Sequence, residues 1–203
     1  NLGALQRSKS DYTNATLSYN EALKIGKILA QTNPETYLPV VATTLNNLGN
    51  LQTSKNDYTN AVLSYNEALK IRRALAKTNP KIYLPFEAKT LNSIGVLQSD
   101  NRDYANAELF FYRALKIWKT LAQTNPSTYL QDVAIILNNL GVLQRNRNDY
   151  TNAELSFNEA LKTYRTLAQT NPEKFLPDVV VTLINLGVLF QENIIEKQQS
   201  LKH

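Results

Sequence analysis

Side-by-side asparagines recur along this chain, and their amides are its clearest candidates for binding chemistry. Asn46-Asn47 and Asn138-Asn139 both lie in the local sequence LNNLG. Each Asn side chain offers one carbonyl acceptor and two N–H donors. A peptide main chain carries the complementary donors and acceptors. A regular row of such amides could therefore hold an extended peptide with little regard to its sequence.

Residue types that carry most catalytic and metal chemistry are scarce in this chain. It has 203 residues, no cysteine, and a single histidine, His203. This composition excludes thiolate sites and histidine-based triads. No glycine-rich phosphate loop is present. We therefore predict that the chain is not an enzyme, needs no cofactor and binds no metal.

The charge and hydropathy of the chain restrict its partners. The formal net charge is +5, and the basic residues are spread along the sequence. Many come late in predicted helices, for example Lys70, Arg72, Arg73 and Lys77, where solvated cations complement the helix dipole. We find no apolar run of about 18 residues, and so predict no membrane span. We expect a cytoplasmic chain that binds neither membrane nor nucleic acid.

The elements that position the asparagines repeat with a fixed period. Glycines recur every 46 residues without insertion or deletion, at Gly3, Gly49, Gly95, Gly141 and Gly187. A fixed period of this order is typical of a solenoid, in which each unit buries its apolar face against its neighbours. We predict an all-α, right-handed superhelical solenoid of antiparallel helix pairs over residues 1–192. The tail, residues 193–203, is predicted to cap the array or to be disordered.

Each repeat is predicted to form two helices. In the second copy, helix A is predicted from Val41 to Gln52 and helix B from about Tyr58 to Lys77, with Asp57 as a plausible N-cap. Pro85 is placed in a first helical turn. All seven prolines are assigned to the connections between helix B and helix A, so that no helix interior contains one.

The glycine, alanine and aromatic positions resemble those of the tetratricopeptide repeat. That family pairs Leu-Gly in helix A with Ala, Tyr and Ala in helix B, which here are Leu48, Gly49, Ala61, Tyr65 and Ala68. The usual repeat has 34 residues, whereas this one has 46. Long repeats of this kind are similar to those of kinesin light chain and of bacterial arrays fused to signalling or protease domains.

The resemblance implies a concave groove lined by helix A, with helix B outside. Asn47 belongs to a row that includes Asn1, Ser93, Asn139 and Asn185, and in the kinesin light chain family such groove asparagines hold peptide main chain. The predicted partner-binding residues are Thr43, Asn46, Asn47, Asn50, Ser54, Lys89, Asn92, Ser93, Val96, Ile135, Asn138, Asn139, Val142, Asn146, Val181, Asn185 and Val188. Alternatively, one Asn of each pair bridges neighbouring helices and stiffens the array.

The later part of the predicted groove is more apolar than its earlier part. Ile135, Val142, Val181, Ile184 and Val188 form a patch that would seat either a partner's hydrophobic anchor or a capping helix. The tail offers Ile194, Ile195 and Leu201 for such a cap.

Two functions fit this pattern. The first is a scaffold that binds a peptide or partner protein in the groove. The second is a regulatory or sensor segment of a larger bacterial signalling or defence protein, fused to an NTPase or a caspase-like protease. Because repeat faces built to stack are left at both ends, we also expect end-to-end self-association in concentrated samples.

Overall fold

The computed structural model describes residues 11–201 and shows an all-α chain over that range, as predicted. Gly3, Asn1 and His203 lie outside the described residues. Helices of the B type alternate with helices of the A type. In chain order they are α1 (Tyr12–Thr32), α2 (Pro34–Ser54), α3 (Tyr58–Thr78), α4 (Pro80–Asp100), α5 (Tyr104–Thr124), α6 (Pro126–Asn146), α7 (Tyr150–Thr170) and α8 (Pro172–Ser200).

The recurring sequence DYTNA encodes the start of each B helix. Asp57 is the N-cap of α3, as predicted, and its carboxylate accepts a hydrogen bond from the backbone N–H of Asn60. The side-chain amide of Asn60 in turn donates to the same carboxylate at 2.8 Å. An N-cap of this kind satisfies a backbone donor that has no partner within the helix. The repeated asparagine of DYTNA is therefore a capping residue.

The A helices begin earlier than predicted, and the assignment of every proline to a connection is wrong. Helix α2 begins at Pro34 with Asn33 as its N-cap, so that Pro39 lies inside the helix. Pro85 and Pro177 likewise lie inside α4 and α8. A proline costs one N–H···O=C bond, which here would reach the carbonyl four residues earlier. For Pro39 that residue is Glu35, whose exposed position at the helix start lets water bind the carbonyl.

The chain forms two compact units, residues 1–101 and 102–203. In the first unit, α1 to α4 pack in sequence, and the A helices α2 and α4 also touch. A core cluster in this unit includes Tyr19, Val41, Leu45 and Leu48. The ring of Tyr65 covers Gly49 so closely that an added Cβ atom would lie 2.7 Å from it. The glycine thus lets an aromatic side chain of α3 lie directly on α2, within one helix pair.

The second unit repeats this packing with α5 to α8. Phe157 of α7 covers Gly141 of α6, and a Cβ atom there would lie 2.6 Å from the ring. Phe111 and Phe157 are both buried, as is Trp118. The aromatics that recur at the repeat period are therefore packing residues in this unit, as are Tyr19 and Tyr65 in the first.

The last helix is longer than the other A helices because the turn signal after it is missing. The turns after α2 and α6 place Asn56 and Asn148 at φ angles of 57° and 58°. The residue at this position after α8 is Ile194. A β-branched side chain strongly disfavours positive φ. The next residue, Ile195, also replaces the capping aspartate, and the helix continues to Ser200.

Helix α8 is also the one helix, among residues 11–201, that is long and apolar enough to cross a membrane by length and composition. Its most apolar 18-residue window has a mean hydropathy of 1.4, and 22% of that window is buried. The sequence-based expectation that no segment has this character is therefore wrong.

Candidate functional site

The first asparagine of each pair is engaged between helices in both units. In the first unit, Asn46 of α2 accepts hydrogen bonds from Arg72 of α3 at 3.0 Å and from the Thr90 hydroxyl of α4 at 3.1 Å. Arg72 also donates to the Phe86 carbonyl and to Thr90. Asn46 thus joins its own helix pair to the next A helix.

Arg72 is a buried cation, not the solvated one that the sequence suggested. Its relative exposure is 5%, and burial lowers the pKa of its guanidinium to about 10. The guanidinium lies 5.7 Å from the centroid of the Phe86 ring, which favours the charged form. No carboxylate among the described residues pairs with Arg72, so neutral acceptors and one aromatic face stabilise its charge.

The second unit builds the same junction without an arginine. Asn138 of α6 donates to the Thr182 hydroxyl of α8 at 2.9 Å. Tyr164 occupies the position that Arg72 holds in the first unit and is 2% exposed. Burial, with a smaller effect of the Asp178 charge, raises the pKa of the Tyr164 hydroxyl. The Asn–Thr bridge is therefore common to both units, whereas the helix B residue beside it varies.

The second asparagine of each pair points away from these junctions. Asn47 and Asn185 are half-buried, and their side chains make no hydrogen bond with any residue in the described range 11–201. Asn139, at the equivalent position in α6, is half-buried and has an interaction within the protein. Asn50, one turn after Asn46, accepts a hydrogen bond from the Tyr65 hydroxyl at 2.7 Å. The amides of Asn47 and Asn185 are thus the ones open to a ligand.

We call the solvent-facing side of the A helices the open face of each unit. In the first unit it is mostly polar, since Thr43, Ser54 and Lys89 are exposed. The hydroxyls of Thr43, Ser54 and Ser93 donate to backbone carbonyls of their own helices, which leaves their lone pairs available as acceptors. Val96 is 36% exposed and adds an apolar contact point on α4.

The open face of the second unit is mostly apolar. Val181 of α8 is 53% exposed and Ile135 of α6 is 36% exposed. Val142 and Val188 are half-buried beside them, and Asn146 is exposed at the end of α6. Ile184 takes the position of the junction asparagines and is 59% exposed. The apolar patch expected from the sequence thus lies on one surface in this unit.

The described part of the tail does not cover this patch. Residues 193–200 continue α8 as helix, and Ile194, Ile195 and Leu201 are 56%, 46% and 86% exposed.

Two ion pairs join consecutive B helices, one in each unit. Lys27 pairs with Glu67 in the first unit, and Lys119 pairs with Glu159 in the second, both at 2.7 Å. These pairs are exposed and so contribute little to stability. Within residues 11–201 no cluster of acidic, histidine or cysteine side chains has the arrangement of a metal site.

Sequence reasoning missed two features of the site. The role of Arg72 was missed because two signals conflicted. Its spacing along helix B indicated the packed side of the helix, whereas its charge indicated a solvent-exposed side chain. A signal was available, since the equivalent positions 118 and 164 hold Trp and Tyr, which are core residues. A second available signal was the pair Thr90 and Thr182, each of which lies 44 residues after the junction asparagine that it contacts.

Two segments of the chain match family profiles described as tetratricopeptide repeat. The matches cover residues 42–75 and residues 133–172, one in each unit. Each contains one A-to-B turn with its Gly–aromatic contact. Neither match is to a catalytic family. No curated protein sequence matches the chain.

Solved structures show the same architecture at low sequence identity. BtubC (BKLC) from P. vanneervenii is 19% identical, with a TM-score of 0.59 over 89% of this chain and 83% of that one. MamA is 14% identical over 98% of both chains, with a TM-score of 0.46, which is too low to support an argument. The BtubC match supports the fold alone. The family matches show that the chain contains tetratricopeptide repeats at residues 42–75 and 133–172.

Proposed function

We propose that the chain binds an extended segment of a partner protein on the open faces of its A helices. Tetratricopeptide repeats generally act as protein–protein interaction modules. The observation that carries the proposal is the different role of two neighbouring asparagines. Asn46 is held by Arg72 and Thr90, whereas the amide of Asn47 has no hydrogen bond within the described chain.

The chemistry of the second asparagine row suits a peptide main chain. Asn47 and Asn185 each present donors and an acceptor from a helix surface. Each side chain is half-buried, so its rotamers are already restricted and less entropy is lost on binding. Amides of this kind bind main-chain groups, which every peptide has, and therefore favour an extended partner over one particular side-chain sequence.

The two open faces would prefer different side chains on the partner. The first carries Lys89 and several hydroxyls, which favour polar or acidic groups. The second carries Ile135, Val142, Val181 and Val188, which favour aliphatic or aromatic anchors. We infer that main-chain contacts provide the shared affinity and that these differences provide specificity.

This function is tested with peptides selected from a random displayed library of 12-residue sequences on the full chain. We expect Asn47→Ala with Asn185→Ala to weaken a selected peptide about 5- to 150-fold, because two lost hydrogen bonds of about 0.5–1.5 kcal/mol each sum to about 1–3 kcal/mol. The melting temperature of this variant should change little, since both residues are at the surface. Isothermal titration and thermal melts give the two readouts.

The matched control replaces the other asparagine of each unit, with Asn46→Ala and Asn138→Ala. This variant should lose stability, because Arg72 loses one of its three acceptors and the Thr182 hydroxyl loses the amide donor of Asn138. The proposal would be contradicted if the Asn47→Ala, Asn185→Ala variant bound the peptide as tightly as the unaltered chain. It would also be contradicted if no binding peptide could be selected.

A further inference from the structure

A continuous apolar stripe on α8 has no partner helix within the described chain. Its members follow an alternating spacing of four and three residues, which is the pattern of a helix–helix seam. We call it the α8 stripe; it consists of Leu176, Val180, Leu183, Gly187, Phe190 and Ile194. The exposed fractions of the five larger side chains lie between 43% and 56%. No charged residue interrupts the stripe.

The same face is covered in the other A helices. In α6 the positions equivalent to Val180 and Leu183 are Ala134 and Leu137, with exposures of 0% and 3%. Gly141 of α6 lies under the Phe157 ring of α7, whereas a Cβ atom on Gly187 would meet nothing within 4 Å. The α8 stripe therefore corresponds to the surface on which α2 and α6 each carry the helix B that follows them.

Helix α8 is longer than the other A helices, and its added residues lengthen the stripe. Ile194 and Ile195 replace the asparagine and aspartate that form the turn and the next N-cap after α6. The helix then runs eight residues past Glu192 to Ser200, and Ile194 adds a further apolar contact at the correct spacing.

We propose that the α8 stripe binds the same stripe of a second copy, with the two helices antiparallel and crossing at Gly187. The spacing of the stripe is nearly symmetric about this residue. Leu183 and Phe190 lie four residues before and three residues after it, and Val180 and Ile194 lie seven residues to either side. Antiparallel pairing therefore places Leu183 of one copy beside Phe190 of the other.

A two-fold contact of this kind needs one patch that matches itself, and cyclic dimers are the commonest oligomers. Gly187 allows the two backbones to approach closely at the crossing point, because it has no side chain. The open-face residues Val181, Asn185 and Val188 lie on another side of α8. The dimer therefore does not use the surface proposed to bind peptide, and the two proposals fail or hold separately.

The alternative that α8 enters a membrane conflicts with its other face. Val179, Leu186 and Leu189 are buried in the second unit, and Thr182 is hydrogen-bonded to Asn138. Crossing a bilayer would require all of these contacts to break. The stripe covers only one side of the helix, which suits a partner helix.

The test compares the mass of the full chain in solution with that of two charge-matched variants. The first, Leu183→Glu with Phe190→Glu, alters the stripe. The control, Leu63→Glu with Leu155→Glu, alters two leucines that are 63% exposed on α3 and α7. In sedimentation equilibrium from 1 to 200 µM, we expect the unaltered chain and the control to form dimers and the stripe variant to stay monomeric. Far-UV circular dichroism should be the same for all three.

Because the chain has no cysteine, disulfide trapping reports the geometry directly. Gly187→Cys should cross-link to itself. Val180→Cys should cross-link to Ile194→Cys when the two variants are mixed, and should not cross-link to itself. Self-cross-linking of Val180→Cys would indicate a parallel pair, and cross-linking of Val180→Cys to Leu29→Cys would indicate contact with α1; either result overturns the proposal.

Two further results would also overturn it. One is a monomer at every concentration for the unaltered chain. The other is flotation of that monomer with vesicles of phosphatidylcholine and phosphatidylglycerol, abolished by Leu183→Glu with Phe190→Glu, which would show that the stripe binds lipid. Loss of peptide binding with the dimer intact would affect the proposed function alone.

Discussion

At the scale of single residues, neighbouring side chains of the same type have different tasks. Asn46 and Asn47 are adjacent and chemically identical, yet the helix turns about 100° between them. The side chain of Asn46 therefore contacts α3 and α4, whereas that of Asn47 faces solvent. One alternative from the sequence was that one asparagine of each pair bridges neighbouring helices. The sequence did not identify which one, because the bridge depends on Arg72 and Thr90, which belong to other helices.

The junction around Arg72 gives a prediction at this scale. Arg72→Ala should lower the free energy of unfolding by about 2–4 kcal/mol, since it leaves a cavity and unpaired buried acceptors. Arg72→Tyr should cost less than about 1.5 kcal/mol, because Tyr164 already fills this position beside the Asn138–Thr182 bridge. Urea denaturation of both variants checks the difference. Equal losses would show that the tyrosine of the second unit is not interchangeable with the arginine of the first.

At the scale of elements, the A and B helices are fixed mainly by local signals. Asp57 and its equivalents were identified as caps from sequence, and Asn79-Pro80 does end α3. The starts of the A helices were misjudged because proline was assumed to exclude helix. Pro34 and Pro39 are both compatible with the first two turns of α2, where few backbone N–H groups have partners inside the helix.

Glycine at the helix A–helix B contact gives a prediction at this scale. Gly49→Ala should destabilise the chain by about 1–3 kcal/mol, because its Cβ atom would lie 2.7 Å from the Tyr65 ring. The matched control is Gly187→Ala, which meets no neighbour and should gain up to about 1 kcal/mol from helix propensity.

Both glycine variants are best compared in the monomeric Leu183→Glu, Phe190→Glu background, by thermal and urea unfolding. If Gly187→Ala lowered the free energy of unfolding as much as Gly49→Ala, this would contradict the absence of a neighbouring atom near Gly187. If Gly49→Ala were neutral, the close Gly–Tyr contact would not limit the approach of α3 to α2.

At the scale of the whole molecule, residues that keep the repeat period form the packing, and residues that depart from it set the chemistry of the surface. Residues that keep the 46-residue period, such as Gly49, Ala61 and Tyr65, are packing residues. The positions that change, such as Lys89 against Ile135, set the character of each open face. The sequence revealed the period and the all-α class, because both arise from local patterns. It could not reveal the α8 stripe, whose exposure depends on what packs against α8.

The most direct test of main-chain recognition uses a selected peptide in which one backbone amide at a time is replaced by an ester. The ester removes an N–H donor and keeps the side chain. We expect at least one replacement to weaken binding to the unaltered chain about 2- to 10-fold. The same replacement should have no further effect on the Asn47→Ala, Asn185→Ala variant. Equal losses in both proteins, or no loss in either, would contradict main-chain recognition by the open-face asparagines.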